Sequence, residues 1–509
     1  MIATLLGQLA GLARSIIVAR LFGSSPEYSA FLYGNRVSET LFLLIAGGAL
    51  GSAFIPTFTG FLAKDDQSSA WKLAASLARL LTITLSLLAL LAAFFAPQIV
   101  RHAIAPGFAS DPDLFSLTVE LMRIQLIAAI LFGLGGLIVG ILNAHQIFLI
   151  PALTPAMYQL GIIFGALALS PIMGVHGLAW GVVIGAVLYL GIQIPQLLKL
   201  KTDRWSLVTG HWSLDSNVRH VLLLMGPRLI GVAVVQVNFW VNAALASQMS
   251  GESMAALSYA FALMLMAQAA IAQSVANAAM PTFSAQHALG QRDEMRASLA
   301  ASLRGIIFLA LPAALGLILL REPLVAMLYQ RGEFDSQSTQ LVSWALLWYA
   351  AGLPGHSIME ILTRAFYAQH DTKTPVVIGT IAMSLNVAFS FTFAALFPRF
   401  GWEPLGGLAL ANSLATALEA AALFVVMRKR LGGIEGAHVA RGFVHAGLGT
   451  LGMSLALVMW NQPGGSLNRF VLAAGGILLG GLVYGAALIL LRVPEIQSLI
   501  RFAKRKFTR

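Results

Sequence analysis

The sequence predicts an all-α integral membrane protein of about 14 transmembrane helices, built as two parallel-repeat six-helix lobes followed by two C-terminal helices. Three observations carry this. Hydrophobic residues make up 58% of the 509 positions and charged residues only 10%, far from the balance of a soluble core. Apolar stretches of membrane-crossing length recur along the whole chain. The chain also repeats itself: Pro56-Thr57-Phe58 returns as Pro281-Thr282-Phe283, and Gly107, Phe108 and Asp111 return as Gly332, Phe334 and Asp335. Ala144-His145-Gln146 before Pro151 is answered by Ala368-Gln369-His370 before Pro375, and Gly177-Leu178-Ala179 by Gly407-Leu408-Ala409, always 224 to 230 residues apart. A duplication of this size in a hydrophobic protein is the plan of transporters whose substrate lies between two lobes.

The spans are expected near 3–22, 30–58, 73–100, 114–142, 149–170 and 174–198, then 220–248, 253–283, 299–320, 338–366, 375–397 and 405–427, with the last two at 440–460 and 468–491. This divides the chain into a first lobe, 1–198, a linker at 199–219 and a second lobe, 220–430. Two extra helices at 431–491 and a basic tail at 492–509 follow. The first apolar segment has no basic leader and carries Arg14 and Arg20, so it reads as an uncleaved helix and not a signal peptide.

Lys and Arg stay on the cytoplasmic side during insertion. Loops after even-numbered spans hold most of them, including Lys64, Lys199, Arg219, Arg292, Lys373, Arg428-Lys429-Arg430 and the tail to Arg509. Both termini are therefore expected in the cytoplasm, in a multi-pass protein of the cell membrane. The net charge of +11 follows from this bias and favours contact with anionic membrane lipids, not nucleic acid.

The absence of cysteine excludes thiol chemistry and disulfides. The ten histidines show no metal-ligand spacing, and no phosphate-binding GxxxxGK[ST] loop or GxSxG elbow is present. The expectation is a chain that is not an enzyme and calls for no cofactor.

Polarity inside the spans is the informative feature, since a charge at the bilayer centre costs at least about 2.5–3.5 kcal/mol. Arg36 with Glu39, Glu120 with Arg123, and Glu360 with Arg364 stand three or four residues apart, so each pair can share a helix face and neutralise itself. Glu419 stands alone. Arg14 and Arg228, on the first helix of each lobe, have no local partner. Either they reach headgroups or carbonyls, or with Arg36 they line an aqueous cavity. Guanidinium forks there would suit a pyrophosphate. Asn238 with Asn242, and Gln273 with Asn277, lie one turn apart and either bond neighbouring helices or line the same cavity for sugar and peptide groups.

Further residues carry a family resemblance: Gly11-Leu12-Ala13-Arg14, Ala19-Arg20-Leu21-Phe22-Gly23, Ala46-Gly47-Gly48-Ala49-Leu50-Gly51-Ser52-Ala53-Phe54-Ile55-Pro56 and Ala105-Pro106-Gly107-Phe108. Asn143 with Pro151 and Pro155, Gly226-Pro227, Tyr329-Gln330-Arg331-Gly332-Glu333-Phe334 and Arg364-Ala365-Phe366-Tyr367-Ala368 through Asp371-Thr372-Lys373-Thr374-Pro375 continue it in order. Together they resemble the MurJ (MviN) family. The resemblance implies a MATE-like fold and a flippase for the undecaprenyl-pyrophosphate-linked peptidoglycan precursor, lipid II, with the last two helices forming a groove for the lipid tail. It also implies peptidoglycan-synthesis proteins as possible partners.

Of the family's cavity charges only Arg14 transfers residue by residue. Gln8 stands at a second arginine position, Ser29 at an acidic one, Phe42 and Leu43 at an arginine pair, Gly47 at a glutamate, and Phe261-Ala262 at an Asp-Arg pair. Arg36 and Arg228 are read as compensating charge on the same helices. The lost charges keep open a flippase for another polyprenyl-linked glycan. An ion-coupled exporter of small cations, using Glu419, and a non-transporting scaffold are the remaining readings.

Overall fold

The computed structural model describes residues 2–45, 54–200, 216–461, 468–493 and 497. Nearly all of them are helical and none lies in a strand. The main helices are α1 (Ile2–Phe22), α2 (Pro26–Ile45), α3 (Gln67–Phe94), α4 (Pro112–Ala144), α5 (Leu149–Phe164), α6 (His176–Gly191) and α7 (Ser216–Ser247). They continue as α8 (Ser253–Gln268), α9 (Ser274–Ala288), α10 (Arg292–Leu319), α11 (Arg321–Tyr329), α12 (Ser336–Ala351), α13 (Leu353–Ala368), α14 (Lys373–Leu396), α15 (Leu405–Arg430), α16 (Gly436–Asn461) and α17 (Arg469–Leu490).

Ten helical spans among the described residues are long and apolar enough to cross a membrane. Helices α1, α2 and α7 and the pair α12–α13 lie where the other four expected spans fall; the pair is interrupted at Gly352, just before Pro354. Most of the expected linker, the Gly47-Gly48 segment and most of the basic tail lie outside the described residues.

The chain forms two compact units, Met1–Ala255 with Arg331–Phe334, and Ala256–Gln330 with Asp335–Arg509. In the first, α2, α3 and α6 pack on α4, and α1 and α6 on α5. The start of α7 enters the core: Val218, Val221 and Met225 are buried with Phe58, Leu73, Leu77, Leu137 and Ile141. In the second unit, α14 and α13 pack on α15, while α16 lies between α10 and α17. Its core gathers Phe283, Met295, Leu299, Leu303, Ile361, Phe366, Leu423 and Met427.

The duplicated motifs do the same work in both places. Phe58 and Phe283 are each fully buried in their unit's core. Gln146 and His370 both take positive φ, 59° and 58°, in matching turns that close α4 and α13. Asp65 and Gly290 repeat this at 56° and 69°. Asp111 caps α4 by accepting from the amides of Asp113 and Leu114, as Asp335 caps α12 by accepting from Ser338. The Gly107 amide donates to Ser247 Oγ at the end of α7, and Glu333, beside Gly332, donates its amide to the Arg20 carbonyl at the end of α1. Each glycine loop thus sits on the end of the first helix of the opposite repeat.

Two of the expected intrahelical ion pairs form. Arg36 Nη1 meets Glu39 Oε2 at 3.1 Å and Arg364 Nη2 meets Glu360 Oε1 at 2.9 Å. The third does not. Glu120 pairs with His176 at 3.1 Å, and Arg123 donates from Nε to the Ala93 carbonyl at 3.0 Å. The guanidinium is drawn to the free carbonyls of the last turn of α3, the negative end of that helix.

Candidate functional site

The first unit holds Arg14 on α1 and Arg36 on α2. Helix α1 can lie close to α5 because Gly7 and Gly11 face it; a Cβ on Gly7 would stand 3.7 Å from Pro155, and one on Gly11 would stand 3.6 Å from the Gln159 amide. Arg14 is half-buried one turn further on. No carboxylate lies within ion-pairing distance of it among the described residues. Tyr158, also on α5, lies within electrostatic range of Arg14, Glu39 and Tyr28. Beside it, the Gln159 carbonyl oxygen is buried without a hydrogen-bond partner. A guanidinium without a carboxylate partner on α1 and an unsatisfied acceptor on the adjacent α5 suit a ligand that offers both anionic oxygens and hydroxyl or amide donors.

Arg36 is more committed. Besides its bond to Glu39, its guanidinium lies 5.0 Å from the ring centre of Phe239 on α7. The Thr40 hydroxyl accepts from Trp240 Nε1 at 2.9 Å, with the Arg36 carbonyl at 2.7 Å and Gln236 Oε1 at 3.2 Å as acceptors within its reach. These contacts clasp α2 to α7, leaving Arg36 Nε buried and unpaired. Arg228 lies on α7, and its side chain is outside the described residues.

The amide residues separate into two groups. Asn242 Nδ2 donates to the Asn238 carbonyl at 2.9 Å, so this pair bonds along its own helix, and Asn238 is buried. Gln273 and Asn277 belong to the second unit, where both are exposed. Glu419, on α15, faces Gly379 of α14; a Cβ on that glycine would stand 3.1 Å from its carboxylate.

An aromatic wall that includes Tyr158 stands in the same unit. Phe132 on α4 contacts Phe42, Tyr158 and Tyr189 with ring centres 5.3, 5.0 and 5.3 Å apart. Phe42 occupies one of the positions where the resemblance leads one to expect arginine, so an aromatic ring stands where a charge was expected. Tyr158 and Gln159 were absent from the residues singled out in the sequence. Their signal was available: two adjacent polar groups just after Pro155 in an otherwise apolar span. No group of residues capable of holding a metal ion occurs among the described residues.

The fold is that of a duplicated, polytopic helical transporter. It superposes on a multidrug-resistance MATE family transporter of the MOP superfamily, solved in an inward-facing conformation, with a TM-score of 0.70 at 17% identity, covering 84% of this chain and 94% of that one. Within that class the chain belongs to the MurJ family: the family profile described as "Lipid II flippase MurJ" matches residues 18–483. The curated lipid II flippase MurJ of Burkholderia cenocepacia is 31% identical over 433 residues, 84% of this chain and 82% of that protein. A probable lipid II flippase MurJ of Haemophilus influenzae is 27% identical, covering 98% of this chain and all of its own. A solved lipid II flippase MurJ in an inward closed conformation matches with a TM-score of 0.82 at 25% identity, covering 96% of this chain and 98% of that one.

Proposed function

We propose that this protein translocates lipid II across the cytoplasmic membrane by alternating access, with both termini in the cytoplasm. The family membership and the full-length match to MurJ proteins named as lipid II flippases support the substrate. The observation that carries the site is Arg14, a guanidinium in a membrane helix with no carboxylate partner among the described residues. Such a group is costly in hydrocarbon unless it meets an anion or water. A pyrophosphate supplies the anion, and the fork of arginine matches its oxygens.

In this reading Arg14 binds the pyrophosphate, while Tyr158 and Gln159 supply hydrogen bonds to the sugar side of the headgroup. The aromatic wall of Phe42, Phe132 and Tyr189 keeps bulk water from the cation. Arg36, held by Glu39 and Phe239, positions α2 on α7 and keeps one buried N–H in reserve. Arg228 adds a second cation from the first helix of the other repeat. Asn238 and Asn242, bonded along their own helix, serve its packing, while Gln273 and Asn277 are exposed amides of the second unit. The prenyl tail stays in lipid against the C-terminal helices α16 and α17.

Cells depleted of their own lipid II flippase test this reading. The wild-type protein, with membrane insertion verified, is expected to restore growth, and Arg14→Ala and Arg228→Ala at equal abundance are expected to fail. Growth restored equally by both variants would remove the cationic site from the account.

A further inference from the structure

The second unit contains a cavity of about 460 Å³ that the transport site does not use. It lies at the ends of α10 and α16 remote from Arg428-Lys429-Arg430, among the first turns of α11, α12 and α17. Two arginines face it, Arg321 and Arg469, with Asn461, Gln340, Ser336 and Glu322 among the other lining residues.

Each arginine is anchored by one nitrogen and keeps others available. Arg321 Nη1 donates to the Ile318 carbonyl at 2.8 Å, and Arg469 Nη1 donates to the Gln330 carbonyl at 2.9 Å. Anchoring fixes the forks with little entropy left to lose on binding. Asn461 Nδ2 donates to the Leu319 carbonyl at 2.9 Å, so two carbonyls at the negative end of α10 are already covered. The acid in the lining is weakly engaged: Glu322 is largely exposed and stands 3.9 Å from Arg321. Asp335 spends its carboxylate on the Ser338 amide at 2.7 Å.

Three helices begin at the cavity, at Arg321, Ser336 and Arg469, and α10, α11 and α16 end there, so the helix dipoles largely offset one another and the charge of the site is set by its side chains. Two guanidiniums against the one carboxylate of Glu322, in a lining otherwise of amide, hydroxyl and apolar groups, make a net positive, concave site of the size that small ligands occupy.

We propose that this cavity binds a phosphate-type oxyanion at the water boundary of the membrane, with Arg321 and Arg469 as its ligands. A phospholipid headgroup and a free pyrophosphate offer the same chemistry, and every described residue lining the cavity belongs to the second unit. The inference does not rest on lipid II transport.

Purified full-length protein in detergent micelles tests it by titration with sodium pyrophosphate, dihexanoyl-phosphatidylglycerol and dihexanoyl-phosphatidylcholine. At least one anionic probe is expected to bind wild-type protein, and to bind Arg469→Gln and Arg321→Gln about tenfold or more weakly, the loss of one charge-assisted contact. Arg469→Lys, which keeps the charge, is expected to fall between. Binding of phosphatidylglycerol without pyrophosphate identifies a lipid headgroup as the source, and binding of pyrophosphate alone identifies a soluble anion. Arg469 lies at an exposed helix start, so its variant tests the site even if Arg321→Gln fails to fold. Equal affinity of wild type and Arg469→Gln for both anions, binding of phosphatidylcholine as tight as that of phosphatidylglycerol, or no anion binding to wild type would each overturn the proposal.

Discussion

Arg14 and Asp371 show how differently two charges can be accommodated in one membrane protein. Arg14 has no acid beside it among the described residues, which is why we propose a ligand for it. Asp371, in the turn before α14, is fully engaged: it accepts from the Thr374 amide at 3.0 Å and hydroxyl at 2.6 Å and pairs with Arg430, which also lies over Phe366. Burial pushes its carboxyl up, but the bonds from Thr374 and Arg430 outweigh this and hold it at about 2. A depressed carboxylate stabilises the fold fully above its unfolded pKa, and that contribution fades as pH falls through the folded value. Asp371→Ala is therefore expected to cost about 1–2 kcal/mol near neutral pH, comparable to losing a side-chain acceptor for a first-turn helix amide. Thermal melts of the two proteins in detergent should converge as pH is lowered from 5 toward 2; a gap independent of pH would contradict the assignment. The sequence made Arg14 visible because a lone charge in a span stands out. Tyr158 and Gln159 were legible as polar groups but not as neighbours of α1, and the clasp of Arg36 on Phe239 was hidden, because both depend on which helices meet.

Helix packing is set by small residues at α5 and α6. Gly161 and Gly165 on one side meet Gly181 and Gly185 on the other, four residues apart in each case, and a Cβ on Gly161 would fall on the backbone of Gly185. Without a hydrophobic driving force in lipid, such close backbone approach supplies the association through dispersion contacts. Gly161→Leu is expected to destabilise the first unit by about 1–3 kcal/mol through overpacking. Gly191→Ala, where a Cβ meets open space, should be neutral. Monodisperse yield after detergent extraction reads both, and a Gly161→Leu protein as stable as wild type would refute this contact. The existence and order of the helices followed from apolar runs, yet the sequence did not foretell that Glu120 prefers His176 to Arg123. Residue spacing along one helix says nothing about a neighbouring helix end that competes for the same guanidinium.

At the scale of the whole molecule, the duplication is the feature most fully legible from sequence. Equivalent phenylalanines, caps and left-handed turns recur in both repeats at the offset read from the chain. The compact units do not simply follow the repeats. Helix α7 and residues 331–334 group with the first unit, because Val218, Val221 and Met225 join its core and the Gly332 loop bonds to the end of α1. A linear repeat carries no information about which elements cross over in this way. Family membership then supplies what the fold alone does not, since the MATE-type architecture also serves a protein named for multidrug resistance. The central claim is that this chain moves lipid II and that Arg14 holds its pyrophosphate. The most direct measurement is the rate at which fluorescent lipid II, placed in vesicles containing the purified protein, becomes accessible across the bilayer to an added membrane-impermeant reagent. Wild-type protein should accelerate the exchange well above protein-free vesicles, and Arg14→Ala, equally incorporated, should be slower by about tenfold or more. Exchange no faster than in empty vesicles, or an Arg14→Ala rate equal to wild type, would contradict the account.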